Sequence, residues 1–526
     1  FRRVLFRSLD ARREGLGKNN LTPRGLIIKL PNDCWACFDT DLLRVAAVWR
    51  GKGVSDKALA PGSYHDPSRK TLGGQFPAPQ PEGKLWLGHA IIPGWQLGAT
   101  VDRNDPRSPA PSANEVGRGP LPAALGQFQS VELVGPDVVL TYRVDDAVIR
   151  ELWKTSEHDG QIVIERHLSV SAHAKDLLLV VGTRRQGPSQ EIEAGVTVSG
   201  PAELAHDEDF FAVKVPANKA PAALCVTLCD EHAAPSVPAV AIPSGPTQAR
   251  WQAAVPTKIE LSKSADAYVV DHVGLPVVNP WKRAVRASDI QFRKDGTGVL
   301  VTIDGDVWLA RGLGAAGAEV SWRRFASGLH EPMTCALRDD EIFVFDRNGI
   351  WHLRDTDGDG EADVHELFSN AFAQTADMRE FPSTLRLAPK GEFVIAKGGH
   401  LQHFINGKQT VDVTDETAVH AAAGQVRAAL NGETDVSPAT LVDDSPTTWE
   451  YDDQVWTPEN YENEYGGMVT YRDSLAHSRN IATIKAAERA GYGNVAELWA
   501  RLGVGSQPKP FPSIALGVFE ATPLEM

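Results

Sequence analysis

Between Leu21 and about Pro280 the chain advances in short apolar stretches: GLIIKL, LLRVAAVW, KLWLGHAII, VELVGPDVVLTYRV, IVIERHLSV, LLLVV, FFAVKV and LCVTLC. Each is broken off by glycine, proline or aspartate, so none is long enough for a helix that buries a stripe of its own. In VVLTYRV and IVIERHLSV apolar and polar residues alternate with a period of two, which turns one face inward and the other to water. With 46 glycines and 35 prolines in 526 residues there is material for many turns. The pattern predicts antiparallel sheet, arranged as a sandwich.

Charge and length narrow the function classes. A net charge of −15 opposes a nucleic-acid surface, which must neutralise phosphates with lysine and arginine, so no nucleic-acid partner is expected. No apolar run approaches the roughly 20 residues that cross a bilayer, so no membrane span is expected. The opening residues lack the apolar core and small-residue cleavage site of a secretory leader, so a signal segment is expected to be absent from this chain. Five cysteines stand at 34, 37, 225, 229 and 335. Cys34-Trp35-Ala36-Cys37 has the spacing of a redox pair, but no βαβ pattern surrounds it and Phe38 follows where haem attachment needs a histidine. Buried thiols or an incidental disulfide are the simpler reading. His206-Asp207-Glu208-Asp209 and Asp230-Glu231-His232 read as solvated acidic turns.

From Asp289 to Gly399 the rhythm changes to GVLVTIDGDVWLA, VSWRRFASGL, EIFVFDRNGIWHLRD and TLRLAPKGEFVIAKGG. Asn348-Gly349 predicts a two-residue hairpin turn there. Within this segment Asp355-Thr356-Asp357-Gly358-Asp359-Gly360, continued by Asp363 and Glu366, fits the calcium-loop pattern: acids at positions 1, 3 and 5, glycine at 6, glutamate at 12. Asp355, Asp357, Asp359, Asp363 and Glu366 offer carboxylates and Glu361 its carbonyl, which makes them the candidate metal ligands and Ca²⁺ the candidate cofactor. The flanks IWHLRD and VHELF read as strands, so a bare acidic hairpin fits the same residues.

Several stretches resemble known families. NNLTPRGLIIKL, CWACFDTDLLRVAAVWRGKG, ALAPGSYHDPSRKTLGGQFP and GRGPLP, between Asn20 and about Gly182, resemble an uncharacterised N-terminal domain of large secreted bacterial proteins. The segment 286–399 resembles the start of the six-bladed propeller of quinoprotein glucose/sorbosone dehydrogenase-like proteins, about two blades of it, which leaves open sheet edges. The resemblance implies a histidine base ahead of LRLAPKGEFV, where this chain has Arg379-Glu380-Phe381, and no histidine stands between His365 and His400. No quinone cofactor is therefore expected. His330-Glu331 in GLHEP reads as a packed loop pair or the lining of a site. HLQHFINGKQTVDVTDET, from His400, is similar to the last strands of a jelly-roll domain in 3-keto-disaccharide hydrolases, with a hairpin turn expected at Asn406-Gly407.

From about Gly424 the phrases DDSPTTW, VWTPENYENEYGG, SLAHSRNIATIKAAERAGYG, LGVG and ALGVFEATPLEM resemble the transpeptidase domain of class A penicillin-binding proteins. Two helices are expected here, over SLAHSRNIATIKAAERAGYG and VAELWARLGVG, ending at Gly491 and Gly503. Ser478-Arg479-Asn480 falls on that family's Ser-x-Asn motif, which implies that Ser478 joins a proton relay and that Asn480 holds substrate peptide. Ser112-Ala113-Asn114 matches the triplet too, in a proline-rich loop. The family's nucleophile motif, serine with lysine three residues on, belongs upstream of Ser478, and no lysine occurs between Lys408 and Lys485. Its third motif, Lys-Thr-Gly, would lie beyond Met526. An inactive transpeptidase-like segment is expected.

FRRVLFRS, residues 1–8, resembles the translation of a sequencing adapter. The expectation is thus a composite, mainly β chain: 1–8 adapter-like; 9–285 a β-rich sandwich; 286–399 a partial β-propeller; 400–423 a jelly-roll hairpin; 424–526 an α-rich penicillin-binding transpeptidase fragment. All the resembled families act outside the cytoplasm, so an extracytoplasmic location follows, with a peptidoglycan peptide or a carbohydrate as ligand by resemblance. The alternatives are a secreted dehydrogenase-like propeller protein with a carbohydrate-related or binding role, and a penicillin-binding enzyme.

Overall fold

A computed structural model describes residues 4–12, 19–55, 78–108, 118–184, 194–230, 233–245, 249–264, 269–313, 319–374, 376, 381–388, 391–397, 400–405, 408–412, 440–502 and 508–516. Its contacts divide the chain into two compact units, Phe1–Asp412 and Val413–Met526. The boundary expected at 285/286 falls inside the first unit, and the second unit opens at Val413. The Ser112-Ala113-Asn114 triplet, Arg379-Glu380, the Asn406-Gly407 turn and Gly503 lie outside the described residues.

The first unit is antiparallel β throughout. Val4–Asp10, Leu21–Lys29, Cys34–Asp39, Arg44–Val54 and Pro81–Gly88 form a five-stranded sheet in chain order. A ten-stranded sheet runs from Gly195–Ser199 through Ala222–Cys229, Gln161–Val170, Ala147–His158, Asp137–Val144 and Gly126–Val134. It continues through Val364–Ser369, Gly349–Arg354, Glu341–Asp346 and Thr334–Arg338. Two further sheets of four strands and one of six complete the unit.

The ten-stranded sheet answers the question of the open edge. Val364–Ser369, within the segment expected to be a partial propeller, pairs with Gly126–Val134 in the register Val364↔Glu132, His365↔Val131, Glu366↔Ser130. The backbone groups that a two-blade stub would leave bare on this side are thus spent on the sandwich. One hydrophobic core follows, mixing Leu26, Phe38 and Val48 with Tyr142, Ile164, Leu179, Val213, Trp351 and Leu353.

Two local features differ from expectation. Val4–Asp10, for which the sequence suggested no element, is a strand whose Val4 and Phe6 enter the main core while Leu9 joins a smaller cluster on the other side. Phe6 meets Trp351 edge to face at 4.8 Å, and the buried Arg7 lies 3.6 Å from the Glu331 carboxylate. The three arginines of FRRVLFRS, of which the strand itself holds Arg7, masked the alternation. The hairpin turn falls on Arg347-Asn348, because Asp346 pairs with Gly349. The Asp346 carboxylate accepts the N–H groups of Asn348 (2.7 Å) and Gly349 (3.0 Å) and so fixes the turn one residue earlier. Gly349 is needed there for space: a Cβ would stand 2.7 Å from Leu367 Cδ1 and 2.8 Å from Ser369 O.

In the second unit Leu441–Asp443 pairs with Met468–Thr470, and Trp449–Tyr451 with Gln454–Trp456. Three helices follow, α1 (Tyr471–Ala476), α2 (Asn480–Ala490) and α3 (Tyr492–Leu502). Thr470 caps α1 by accepting the Asp473 N–H. The single helix expected over SLAHSRNIATIKAAERAGYG is interrupted at Ser478, whose φ is +50°. Gly491 closes α2 at φ +85°. Trp449, Ile481 and Ile484 form the small core.

Candidate functional site

The acidic hairpin joins Gly349–Arg354 to Val364–Ser369, which are strands as the flanking sequence implied. Asp355 organises it by accepting the N–H groups of Gly358 (2.7 Å) and Gly360 (2.9 Å), both at positive φ. Asp357 accepts from Asp359 N and Asp359 from Glu361 N. Asp363 accepts from both the N–H and the hydroxyl of Thr356. The structure gathers Asp355, Asp357 and Asp363, with ligand oxygens within 4.8 Å of one another.

Of the other expected ligands, Asp359 and Glu366 stand apart from the trio, and Glu361, whose carbonyl is its expected ligand atom, has its side chain engaged outside the loop. Glu361 is buried with its carboxylate on the Arg250 and Trp251 backbone N–H groups and on the Arg250 guanidinium. Glu366, opposite His352 in the strand register, lies 3.4 Å from His352 and 3.6 Å from Arg354, which hold its carboxyl below the usual range. The strand after the loop carries Glu366 away, whereas a helix would curl it back. Asp359 is outside the trio, and its carboxyl is pushed up by burial and by the charges of Asp357, Glu361 and Asp355. Nothing in the sequence spacing foretold that Arg250 and Trp251 would take Glu361. Beside the hairpin lies an open groove of about 600 Å³, lined by Arg293, Arg311, Arg323, His352, Asp340 and Asp355 among others.

In the second unit Ser478 is exposed and Asn480 half-buried at the start of α2. The Asn480 amide donates to Glu459 O at 2.7 Å. Between them Arg479 pairs at 2.9 Å with Asp444, which is fully buried and also accepts from Asn460 Nδ2 and Gly466 N. A buried carboxylate with three donors fixes the loop that carries Ser478. No motif marks this network, although both ends lie in the phrases DDSPTTW and ENYENEYGG.

No amine is free to activate that serine among the described residues of this unit. Lys485 sits on Asp443 at 3.0 Å, where Ser445 and Lys485 hold the Asp443 carboxyl down at about 2. Lys509 lies 4.0 Å from Asp452. The spacing Ser-x-x-Lys does occur at Ser506 and Lys509, but it follows the Ser478 triplet and contains Pro508. Ser506 itself is outside the described residues.

Two other sequence candidates resolve into core. Cys34 and Cys37 are free and buried and face opposite ways from one strand, into different clusters. His330 is buried, with Asn348 Oδ1 at 3.0 Å from its Nδ1, and burial and then Arg7 and Arg347 hold its pKa well below the usual value.

Residues 36–151 match the domain of unknown function DUF6797, and residues 319–485 match the domain of unknown function DUF7133. Short stretches are similar to penicillin-binding proteins. The chain is 39% identical over 71 residues to penicillin-binding protein 1A of Aquifex aeolicus, covering 14% of this chain and 10% of that protein. It is 34% identical over 90 residues to penicillin-binding protein 1B of Vibrio cholerae, covering 17% and 12%. Among solved structures, penicillin-binding protein 1A of Haemophilus influenzae shares 33% identity over 17% of this chain and 14% of its own, with a TM-score of 0.17. The chain spans about a tenth of the length of the curated relatives it matches.

Proposed function

We propose that the chain is an extracytoplasmic composite whose C-terminal segment derives from a penicillin-binding D,D-transpeptidase, the class that cross-links peptidoglycan, and no longer acylates. The observation that carries this reading is the state of Ser478: exposed, positioned by the Arg479–Asp444 pair, and without a free amine among the described residues of its unit. A serine hydroxyl is a weak nucleophile unless a neighbouring base takes its proton. Lys485 is held on Asp443 at 3.0 Å, and Lys509 is an exposed side chain 4.0 Å from Asp452. The Asn480 amide, which by resemblance would hold substrate peptide, is spent on the Glu459 carbonyl. Residual recognition of a peptidoglycan peptide without turnover is the most this arrangement supports. The first unit then serves as a β-rich carrier, and its polar groove is where a carbohydrate ligand would be sought.

Fluorescent penicillin tests the reading. The full chain is expected to show no covalent label after denaturing electrophoresis, beside a labelled intact transpeptidase. A band traced by peptide mapping to Ser478 or Ser506 would refute it.

A second reading rests on one finding: the DUF7133 match, 319–485, runs through both positions, 399 and 424, where the sequence rhythm breaks. On that reading these residues are one continuous segment of a secreted β-rich protein.

A further inference from the structure

We propose that the hairpin 355–363 is a calcium site with Asp355, Asp357 and Asp363 as its protein carboxylates. Oxygens bound to calcium stand at about 2.3–2.6 Å, so any two on one ion are at most roughly 5 Å apart. The three carboxylates meet that limit, with ligand oxygens within 4.8 Å of one another.

A second observation is independent of the acidic sequence. Asp363 is only 5% exposed, and although Thr356 satisfies its Oδ2, its buried Oδ1 has no hydrogen-bond partner. A buried carboxylate oxygen without a donor is costly, and a cation among the three acids removes that cost.

The surroundings agree. The two guanidinium groups that reach into the loop go to other atoms: Arg323 donates to the Asp359 carbonyl at 3.0 Å, and Arg250 to the Glu361 carboxylate and the Ala362 carbonyl. The donors are all oxygen and the loop is irregular, with water left to complete the shell. That combination favours calcium over magnesium, which demands a near-ideal octahedron, and over zinc, which takes nitrogen and sulfur. Because Glu366 is held by His352 and Arg354, no bidentate glutamate closes the site, and affinity belongs to the weak extracellular range. This inference is independent of the transpeptidase reading of the second unit.

Calorimetry on the full chain with calcium chloride decides it. One site with a dissociation constant of about 10⁻⁴–10⁻³ M is expected. Asp357→Asn, on an exposed side chain where misfolding is not a concern, should weaken it about tenfold or more, and Asp363→Asn likewise. Glu366→Gln should leave it within about twofold, where a complete twelve-residue loop would lose its bidentate ligand. Absence of heat at about 10 mM calcium, an unchanged Asp357→Asn, an equal loss in Glu366→Gln, or magnesium binding as tightly as calcium would each overturn the assignment.

Discussion

Replacing Arg24 with alanine should destabilise the first unit by about 4 kcal/mol, and the magnitude can be assembled from its contacts. Arg24 is fully buried. Its guanidinium meets Asp41 Oδ1 at 3.0 Å, donates to Asn370 O at 3.0 Å and Phe372 O at 2.6 Å, and stacks 4.5 Å from the Phe372 ring. Deletion leaves Asp41, 1% exposed, as a buried charge with the Asn370 amide at 3.2 Å as its hydrogen bond and the Arg107 charge as its counterweight. Breaking a buried pair on one side costs about 3–5 kcal/mol, and the two orphaned carbonyls add to this less whatever water entering the cavity returns. The Asp41 carboxyl is already raised, by burial first, with Arg24 opposing. Without Arg24 it rises further, so the penalty is full at neutral pH and shrinks as acid protonates Asp41. The double variant Arg24→Met, Asp41→Asn removes both charges and should lose only about 1–3 kcal/mol, the cost of the carbonyls. Urea unfolding followed by tryptophan fluorescence measures each. A single-variant loss below about 1 kcal/mol, or a double variant as unstable as the single, would refute the reasoning. Because Arg24 and Phe372 lie on opposite sides of the expected boundary at 285, the cycle also measures how firmly the two stretches are tied.

Acidification should destabilise the first unit. His89 and His365 are buried, chiefly by desolvation driven down to about 4 and about 3, and His330 falls well below its usual value. Between the ordinary histidine value near 6.5 and those figures the unfolded chain binds protons that the folded chain refuses, so stability falls with pH there, by roughly 2 kcal/mol per histidine at pH 5. Asp346, raised by burial to about 6, works the other way between about 4 and 6 but is one group against three. Denaturant midpoints at pH 7 and pH 5 check the sign, and equal midpoints would contradict it. The thiols should be silent in the native state: burial pushes Cys34 and Cys225 up to about 12 and raises Cys37 and Cys335 as well. An aromatic disulfide reagent should titrate none natively and all five in denaturant, and a fast-reacting pair at Cys34 and Cys37 would be contrary.

The β character was legible because period-two alternation is a local signal: VVLTYRV and IVIERHLSV became the strands Asp137–Val144 and Gln161–Val170, on either side of Ala147–His158. What the sequence hid was long-range. Nothing near Val364 announces that it pairs with Glu132, and nothing near Arg24 announces Phe372. The strand at Val4–Asp10 was hidden by charge, since Arg7 is paid for by Glu331, far along the chain. At the acidic hairpin the composition was legible, but the geometry depended on whether a helix or a strand followed. The strand settled that Glu366 faces His352. Around Ser478 the motif triplet was visible, while the buried Asp444 that positions it was not, because an aspartate in a polar loop looks like any surface acid until its partners are known.

The account stands on the separate origin of the β-rich chain and the transpeptidase-like segment. Long-read sequencing of the source DNA across codons 390–430 tests this most directly. The account predicts that no single molecule carries one uninterrupted reading frame through Gly399 and Gly424. A continuous frame through both, recovered from independent reads, would contradict it and leave the DUF7133 segment as one piece.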